Sequence, residues 1–271
     1  MNHAISNEYA GPSDVDSFRQ LIDRNGWVVF DSVLDEQQCN DLIAAHDLAT
    51  QACREIQIRN GVADGTAGTS HHLVVFEGAF LEFLEDLPLY PYLCAYFDGG
   101  PFILNSFGGV SNFRADSSSY VGKVHRDIRS WSGDLHLMMN MLVMLDDFTP
   151  ENGATWLMPQ SHRLAAQPAD DEFFAVAEQA VAPRGSIVLF NSNLWHAAGK
   201  NTTPCTRRGL TPMFTKPFYK PQFDYCRFFG DRVTGFSPLV QQLLGYHARV
   251  PADLDEWYRK PESRMYRPDQ G

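Results

Sequence analysis

The sequence predicts a mainly β fold with flanking helices, and three observations carry that expectation. Between Pro101 and Phe218 the chain breaks into short β-type segments, 102–107, 120–127, 135–145, 154–158, 186–190, 194–198 and 208–214, separated by Gly, Pro, Asn and Asp turns. Many short strands at such spacing form a sandwich or barrel rather than a sheet of βαβ units. No Gly-x-Gly-x-x-Gly follows a strand and no Gly-x-x-x-x-Gly-Lys occurs, so the nucleotide-binding folds lack support. Helical patterns stand before and after this stretch.

Taken in order, residues 1–12 end at Gly11-Pro12 and read as a flexible arm. Ser13 with Asp16 signals a helix start, Val15, Phe18, Leu21 and Ile22 give the apolar stripe, and Asn25-Gly26 stops it. Trp27–Phe30 follows as a short buried strand. Asp35 with Gln38 caps a second helix whose stripe is Cys39, Leu42, Ile43 and His46. On that stripe His46 is expected to be a hydrogen-bonded core histidine, not a ligand. The Gly- and Thr-rich run 59–72 reads as a lid or a solvated connection. Met138, Met139, Met141 and Met144 suit adaptable packing. Beyond residue 219, Phe223, Tyr225, Leu239, Leu243, Leu244 and Trp257 predict helices packed across the barrel. A single domain over 1–271 is expected: the arm 1–12, a helical and strand part 13–100, a β core with the functional site 101–218, and a helical tail 219–271.

Bulk composition narrows the partners. A chain of 271 residues is long enough for one large core, and 44% hydrophobic with 20% charged residues is ordinary for a globular protein. The net charge of 22 − 33 = −11 disfavours nucleic acid and anionic membranes as partners. No apolar run approaches a membrane span, and the first residues lack the basic and apolar regions of a signal peptide, so a cytoplasmic location is expected. The cysteines, at 39, 53, 94, 205 and 226, are odd in number and include no Cys-x-x-Cys. That argues against both a disulfide framework and a zinc ribbon. A small-molecule substrate is the expected partner, with a homodimer left open.

The chemistry is carried by His125-x-Asp127 and, 196 − 127 = 69 residues later, His196. Two imidazoles and one carboxylate that leave open positions form the facial triad of non-haem Fe(II) oxygenases. On a strand, side chains i and i+2 share a face, so His125 and Asp127 can grip one ion while Arg126 points away. A helix would need i, i+3 or i+4 instead. Eleven positions beyond His196 stands Arg207, where a returning neighbouring strand can bring a guanidinium near the metal.

The order of motifs is His125-x-Asp127, then Asn152-Gly153-Ala154-Thr155 with Pro159-Gln160-Ser161-His162, then Gly185-Ser186 through Phe190 ahead of His196, then Arg207. Residues 100–215 closely resemble the phytanoyl-CoA dioxygenase family of Fe(II)- and 2-oxoglutarate-dependent oxygenases. That resemblance implies a double-stranded β-helix, the cupin-like jelly roll. It also implies Fe(II), 2-oxoglutarate and O2 as cofactor and co-substrates, with His125, Asp127 and His196 as iron ligands. Arg207 sits where the family holds the distal carboxylate of 2-oxoglutarate, a task suited to a planar, permanently charged fork. Two places depart from the family pattern: Ala198 where Ser is frequent two residues after the distal His, and Gln160 where Gly is usual.

Further co-substrate contacts are expected from Asn140 and Thr155, with Asn105 a third candidate, because polar residues on these strands serve the family this way. Arg208, on the opposite strand face from Arg207, is expected to be a surface charge. Trp131, Tyr120, His71 and His72 are candidates for the substrate pocket. The implied activity is oxidation of an unactivated C–H bond of a natural-product intermediate, an amino acid or an acyl compound, with 2-oxoglutarate converted to succinate and CO2. A halogenase is disfavoured because Asp127 fills the position halide would take. A cupin-like metal-binding protein or a zinc hydrolase with the same ligands is the alternative, and Arg207 weighs against it.

Overall fold

The computed structural model describes residues 11–114 and 120–270. Most of the expected arm, residues 1–10, lies outside the described residues. Its end is packed: Gly11 sits so close to the Phe30 ring that an added Cβ would lie 2.4 Å from it, and the Tyr92 hydroxyl donates to the Pro12 carbonyl at 2.8 Å.

Helix α1 (Val15–Asn25) begins one residue later than Ser13 would set it, because Asp14 is the cap and accepts from the Ser17 amide at 2.8 Å. Gly26, at φ 87°, ends it in the left-handed region. Strand β1 (Trp27–Phe30) follows. The Asp35/Gln38 capping box opens α2 (Glu36–Arg59), which runs well past its recognised stripe. The Gly- and Thr-rich run then closes in a two-residue strand, β2 (Thr69–Ser70), followed by α3 (Ala79–Glu85) and α4 (Tyr90–Tyr96). The β core comprises β3 (Ile103–Asn112), β4 (Met138–Met144), β5 (Trp156–Leu157), β6 (Glu178–Gln179), β7 (Ile187–Asn191), β8 (His196–Ala197) and β9 (Arg207–Thr215). Helix α5 (Asp170–Val176) lies between β5 and β6. The tail forms α6 (Tyr225–Phe229), α7 (Pro238–Leu243) and α8 (Leu254–Trp257).

Two antiparallel sheets result, one ordered β1-β7-β4-β9-β3-β2 and the other β6-β5-β8. They face each other as a double-stranded β-helix and do not close into a barrel. Strand alternation sorts the core into two layers. Leu142, Met144, Val188 and Phe190 meet Leu157 and Leu194 between the sheets. Met139, Met141, Val143, Ile187 and Leu189 point the other way, into a larger core shared with α1, α2 and the tail residues Tyr225, Phe229, Val240 and Leu243.

Two local features place the site. In β3 the register with β9 slips between Leu104 and Ser106, leaving Asn105 as a bulge. Leu104 and Phe107 can therefore both join the helix-side core while Ser106 turns inward. Gly109 lets α2 approach, since a Cβ there would lie 2.7 Å from both His46 and Ser70 side chains. His46 itself is fully buried beside Thr50 at 3.3 Å, the core histidine expected.

The expected strand 120–127 is different. It is a 3-10 turn at Tyr120–Gly122 and a single bridge between His125 and His196. Two anchors explain why. His125 exchanges backbone hydrogen bonds with His196 at 2.9 and 2.8 Å on the small sheet, and the Ile128 amide donates to Ser192 at the end of β7 in the large one. Asp127 is in the step between the sheets, not on a continuous strand. Among the described residues no helix is long and apolar enough to cross a membrane.

Candidate metal centre

The bridge between His125 and His196 brings their rings to 4.3 Å between centroids. Asp127 closes the set, with Oδ1 3.6 Å from His125 Nε2 and Oδ2 3.5 Å from His196 Nε2. All three donor atoms lie within 4.8 Å of one another, a spacing that could hold one ion. Each imidazole is oriented by its own backbone. His125 Nδ1 lies 2.7 Å from the Lys123 carbonyl and His196 Nδ1 3.0 Å from that of Leu194. A carbonyl can only accept, so Nδ1 carries the proton and Nε2 presents its lone pair to the centre. Burial pushes the His196 imidazole down to about 4, helped by His125 and opposed by Asp127, so it stays neutral as a ligand must be. Phe190 walls it edge-on at 5.1 Å.

The carboxylate has its own support. Asn140 Nδ2 donates to Asp127 Oδ2, and the Ser192 hydroxyl donates to Asn140 Oδ1. Asn140 thus lies against the Asp127 carboxylate; it is absent from the cavity wall.

A cavity of about 330 Å³ opens between the sheets beside the three residues. Arg207, at the start of β9, lines it and is 2% exposed. Its guanidinium lies over the Phe148 ring at 4.2 Å, and its Nε is buried with no hydrogen-bond partner among the described residues. Burial lowers the Arg207 pKa to about 10, with Asp146 only partly opposing. Arg208 faces outward to Asp47 at 2.9 Å and Asp146 at 3.4 Å. Strand alternation delivered that contrast.

Thr155 lines the cavity, as do His71 and Tyr120, which meet at 3.1 Å. The remaining candidates are placed elsewhere. Asn105, the bulge, gives its Nδ2 to the Lys220 carbonyl at 3.4 Å and its own carbonyl to the Gln222 amide at 3.0 Å. Trp131 is exposed and donates to the His162 carbonyl at 3.2 Å. His72, held at φ 58°, stacks on Phe223 at 4.6 Å and meets the Tyr225 hydroxyl at 3.1 Å. None of the three belongs to the cavity wall. Sequence reasoning missed Ser106, Thr211 and Gln222, which do line it. The alternation of β9 could have found Thr211, two and four residues from Gly209 and Arg207, but the bulge hid Ser106.

Similarity to known proteins agrees with this arrangement. A family model described as Phytanoyl-CoA dioxygenase (PhyH) matches residues 22–209. The Mycobacterium tuberculosis protein Rv1501 is 30% identical over 272 residues, covering 96% of this chain and 97% of its own. Dioxygenase cdmD of Talaromyces verruculosus is 32% identical over 121 residues, 44% of this chain and 39% of that protein. The crystal structure of HygX from Streptomyces hygroscopicus, with nickel and 2-oxoglutarate bound, superposes with a TM-score of 0.59 at 15% identity over 80% of this chain and 90% of that one. AviO1 from Streptomyces viridochromogenes gives 0.57 at 20% identity, over 78% and 99%. At these identities the two structures establish the fold.

Proposed function

This chain belongs to the phytanoyl-CoA dioxygenase family and is an Fe(II)- and 2-oxoglutarate-dependent dioxygenase, and from that premise we propose that it oxidises an aliphatic C–H bond of a small, uncharged molecule. The observation that carries the site assignment is the buried guanidinium of Arg207, with an unpartnered Nε, in the same cavity as His125, Asp127 and His196. A buried charge that Asp146 only partly offsets is costly, and a carboxylate of 2-oxoglutarate would complete its pairing. A zinc hydrolase or a cupin-like binding protein has no use for that cation.

In this reading His125 Nε2, Asp127 and His196 Nε2 hold Fe(II) and leave three positions open. With iron, 2-oxoglutarate and O2 bound, the centre supplies the power to break an unactivated C–H bond while 2-oxoglutarate becomes succinate and CO2. The protein's own part is orientation and exclusion. Arg207 takes the distal carboxylate, and Thr155 is within the same cavity to add a hydroxyl contact. Phe190 and Leu142 keep that wall dry.

The substrate class follows from the charges left over. Besides the three ligands and Arg207, the titratable lining residues are His71, Tyr120 and Arg126. Burial holds His71 and Tyr120 in their neutral forms. Arg126 lies over the Trp195 ring at 5.0 Å, and Trp195 belongs with Ala197 to the face of β8 opposite His196. Among the described lining residues Arg126 is the one cation beside Arg207, its guanidinium stacked on Trp195 with Nη1 buried and unpartnered, and a net charge of −11 disfavours approach of a substrate carboxylate or the phosphates of a CoA thioester. Ser106, Thr211, Gln222 and the His71–Tyr120 pair offer neutral hydrogen bonds instead. At about 330 Å³, shared with 2-oxoglutarate, the cavity admits only a small reacting portion.

Succinate release tests the proposal. The Fe(II)-loaded protein with ascorbate and 2-oxoglutarate is given matched panels of neutral alcohols, the corresponding carboxylates and their CoA thioesters. Stimulation above the substrate-free rate by neutral members is expected. Stimulation confined to the CoA thioesters or carboxylates would overturn the substrate class and leave the cofactor assignment standing.

A further inference from the structure

We propose that Asn140 is a positioning residue that fixes Asp127 as a one-oxygen metal ligand, with Ser192 holding the amide in place. The inference rests on the ligand set proposed above and reassigns Asn140 from the co-substrate. Both ends of its amide are engaged. Nδ2 donates to Asp127 Oδ2, and Oδ1 accepts the Ser192 hydroxyl.

The carboxylate decides which way the amide faces, and the second bond holds it there. An amide side chain could turn either its oxygen or its nitrogen toward Asp127, and an oxygen there would repel the carboxylate. An ionised carboxylate only accepts, so the amide nitrogen faces Asp127, and the Ser192 hydroxyl donates to the Oδ1 that this leaves on its side. Ser192 is itself fixed, its amide donating to the Met138 carbonyl at 3.2 Å and its carbonyl accepting from Ile128 at 3.3 Å. Asn140 is 2% exposed, so water does not compete for either bond. Strands β4 and β7 therefore hold Asp127 although it lies on no strand.

The consequence concerns coordination number. Oδ2 shares its lone pairs with Asn140, which makes Oδ1, 3.6 Å from His125 Nε2, the stronger donor for iron. Two imidazoles and one carboxylate oxygen fill three of six positions, which leaves two for the 2-oxo acid and one for O2. A carboxylate binding through both oxygens would remove one of those three. Asn140 protects the open position as well as the affinity.

The test uses the whole protein and needs no substrate. Fe(II) dissociation constants are measured anaerobically by chelator competition for wild type, Asn140→Leu and Ser192→Ala, with thermal melting of the metal-free forms in parallel. Asn140→Leu keeps the side chain's size and removes its donor. It is expected to weaken Fe(II) binding by about 10- to 100-fold, the usual effect of removing a hydrogen bond behind a metal ligand. Ser192→Ala, which leaves the amide in place but free to turn, is expected to give a smaller loss. At saturating Fe(II), the affinity of Asn140→Leu for 2-oxoglutarate, read from the visible charge-transfer band, should stay close to wild type. Unchanged Fe(II) affinity in both variants overturns the proposal. A selective loss of 2-oxoglutarate affinity in Asn140→Leu also overturns it and restores Asn140 as a co-substrate contact. If Asn140→Leu does not fold, the Ser192→Ala measurement decides. None of these readings depends on which substrate the enzyme takes.

Discussion

Arg207→Ala separates an oxygenase from every other use of a His/Asp/His site. The guanidinium is 2% exposed, and burial lowers its pKa from the ordinary arginine range to about 10. At 1.36 kcal/mol per pH unit, that drop corresponds to roughly 3 kcal/mol of solvation that the protein alone does not return. A bound carboxylate returns it. The figure agrees with the ~2–5 kcal/mol lost when one partner of a buried charged pair is removed. At ~1.4 kcal/mol per tenfold, the 2-oxoglutarate dissociation constant should rise roughly 30-fold to several-thousand-fold. Arg207→Lys keeps the charge without the fork and should recover part of the loss. Titration of 2-oxoglutarate into the anaerobic Fe(II) protein, followed by the charge-transfer band, gives the constants, and Fe(II) affinity should be unchanged because Arg207 is no ligand. Equal 2-oxoglutarate affinities in wild type and Arg207→Ala would refute the assignment.

Arg208→Ala, which breaks the pairs to Asp47 and Asp146 on a partly exposed face, should cost roughly 0.2–1 kcal/mol of stability by urea unfolding and leave 2-oxoglutarate affinity unchanged. The metal-free protein should be acid-labile. His196 and His72 are bases whose folded pKa is depressed to about 4 by burial, so stability is complete above their unfolded value near 6.5 and is lost as pH falls from there toward 4. Denaturation midpoints between pH 7.5 and 4.5 should show it, His196 alone contributing roughly 2–3 kcal/mol; a flat profile would contradict the burial argument. Gly109→Ala, whose Cβ would press on His46 and Ser70, should destabilise the fold by about 1–3 kcal/mol while Fe(II) affinity persists.

What the sequence disclosed is what is local. The Asp35/Gln38 capping box, the Asn25-Gly26 stop and the opposed faces of Arg207 and Arg208 follow from contacts within a few residues, or from strand period. The His/Asp/His triplet is legible as a motif, but strand alternation is not what brings it together. His125 and Asp127 converge because one pairs with His196 and the other is held by Asn140, partners 71 and 13 residues away. The bulge at Asn105 has no local signature, so the inward turn of Ser106 could not be read. Likewise β2, two residues in a Gly- and Thr-rich run, forms only because Ser70 finds Gly109 across the sheet edge. Trp131 and His72 are aromatics of the kind that line pockets, and tertiary contacts placed both outside this one.

The proposed activity depends on one Fe(II) held by His125, Asp127 and His196 beside a 2-oxoglutarate carboxylate on Arg207. An anaerobic crystal structure of the protein with Fe(II) and 2-oxoglutarate, with iron located by anomalous scattering, tests it most directly. The expected result is iron ~2.0–2.2 Å from His125 Nε2, His196 Nε2 and a single oxygen of Asp127, the range usual for such ligands. Iron on other side chains, or 2-oxoglutarate bound with its distal carboxylate away from Arg207, would contradict it.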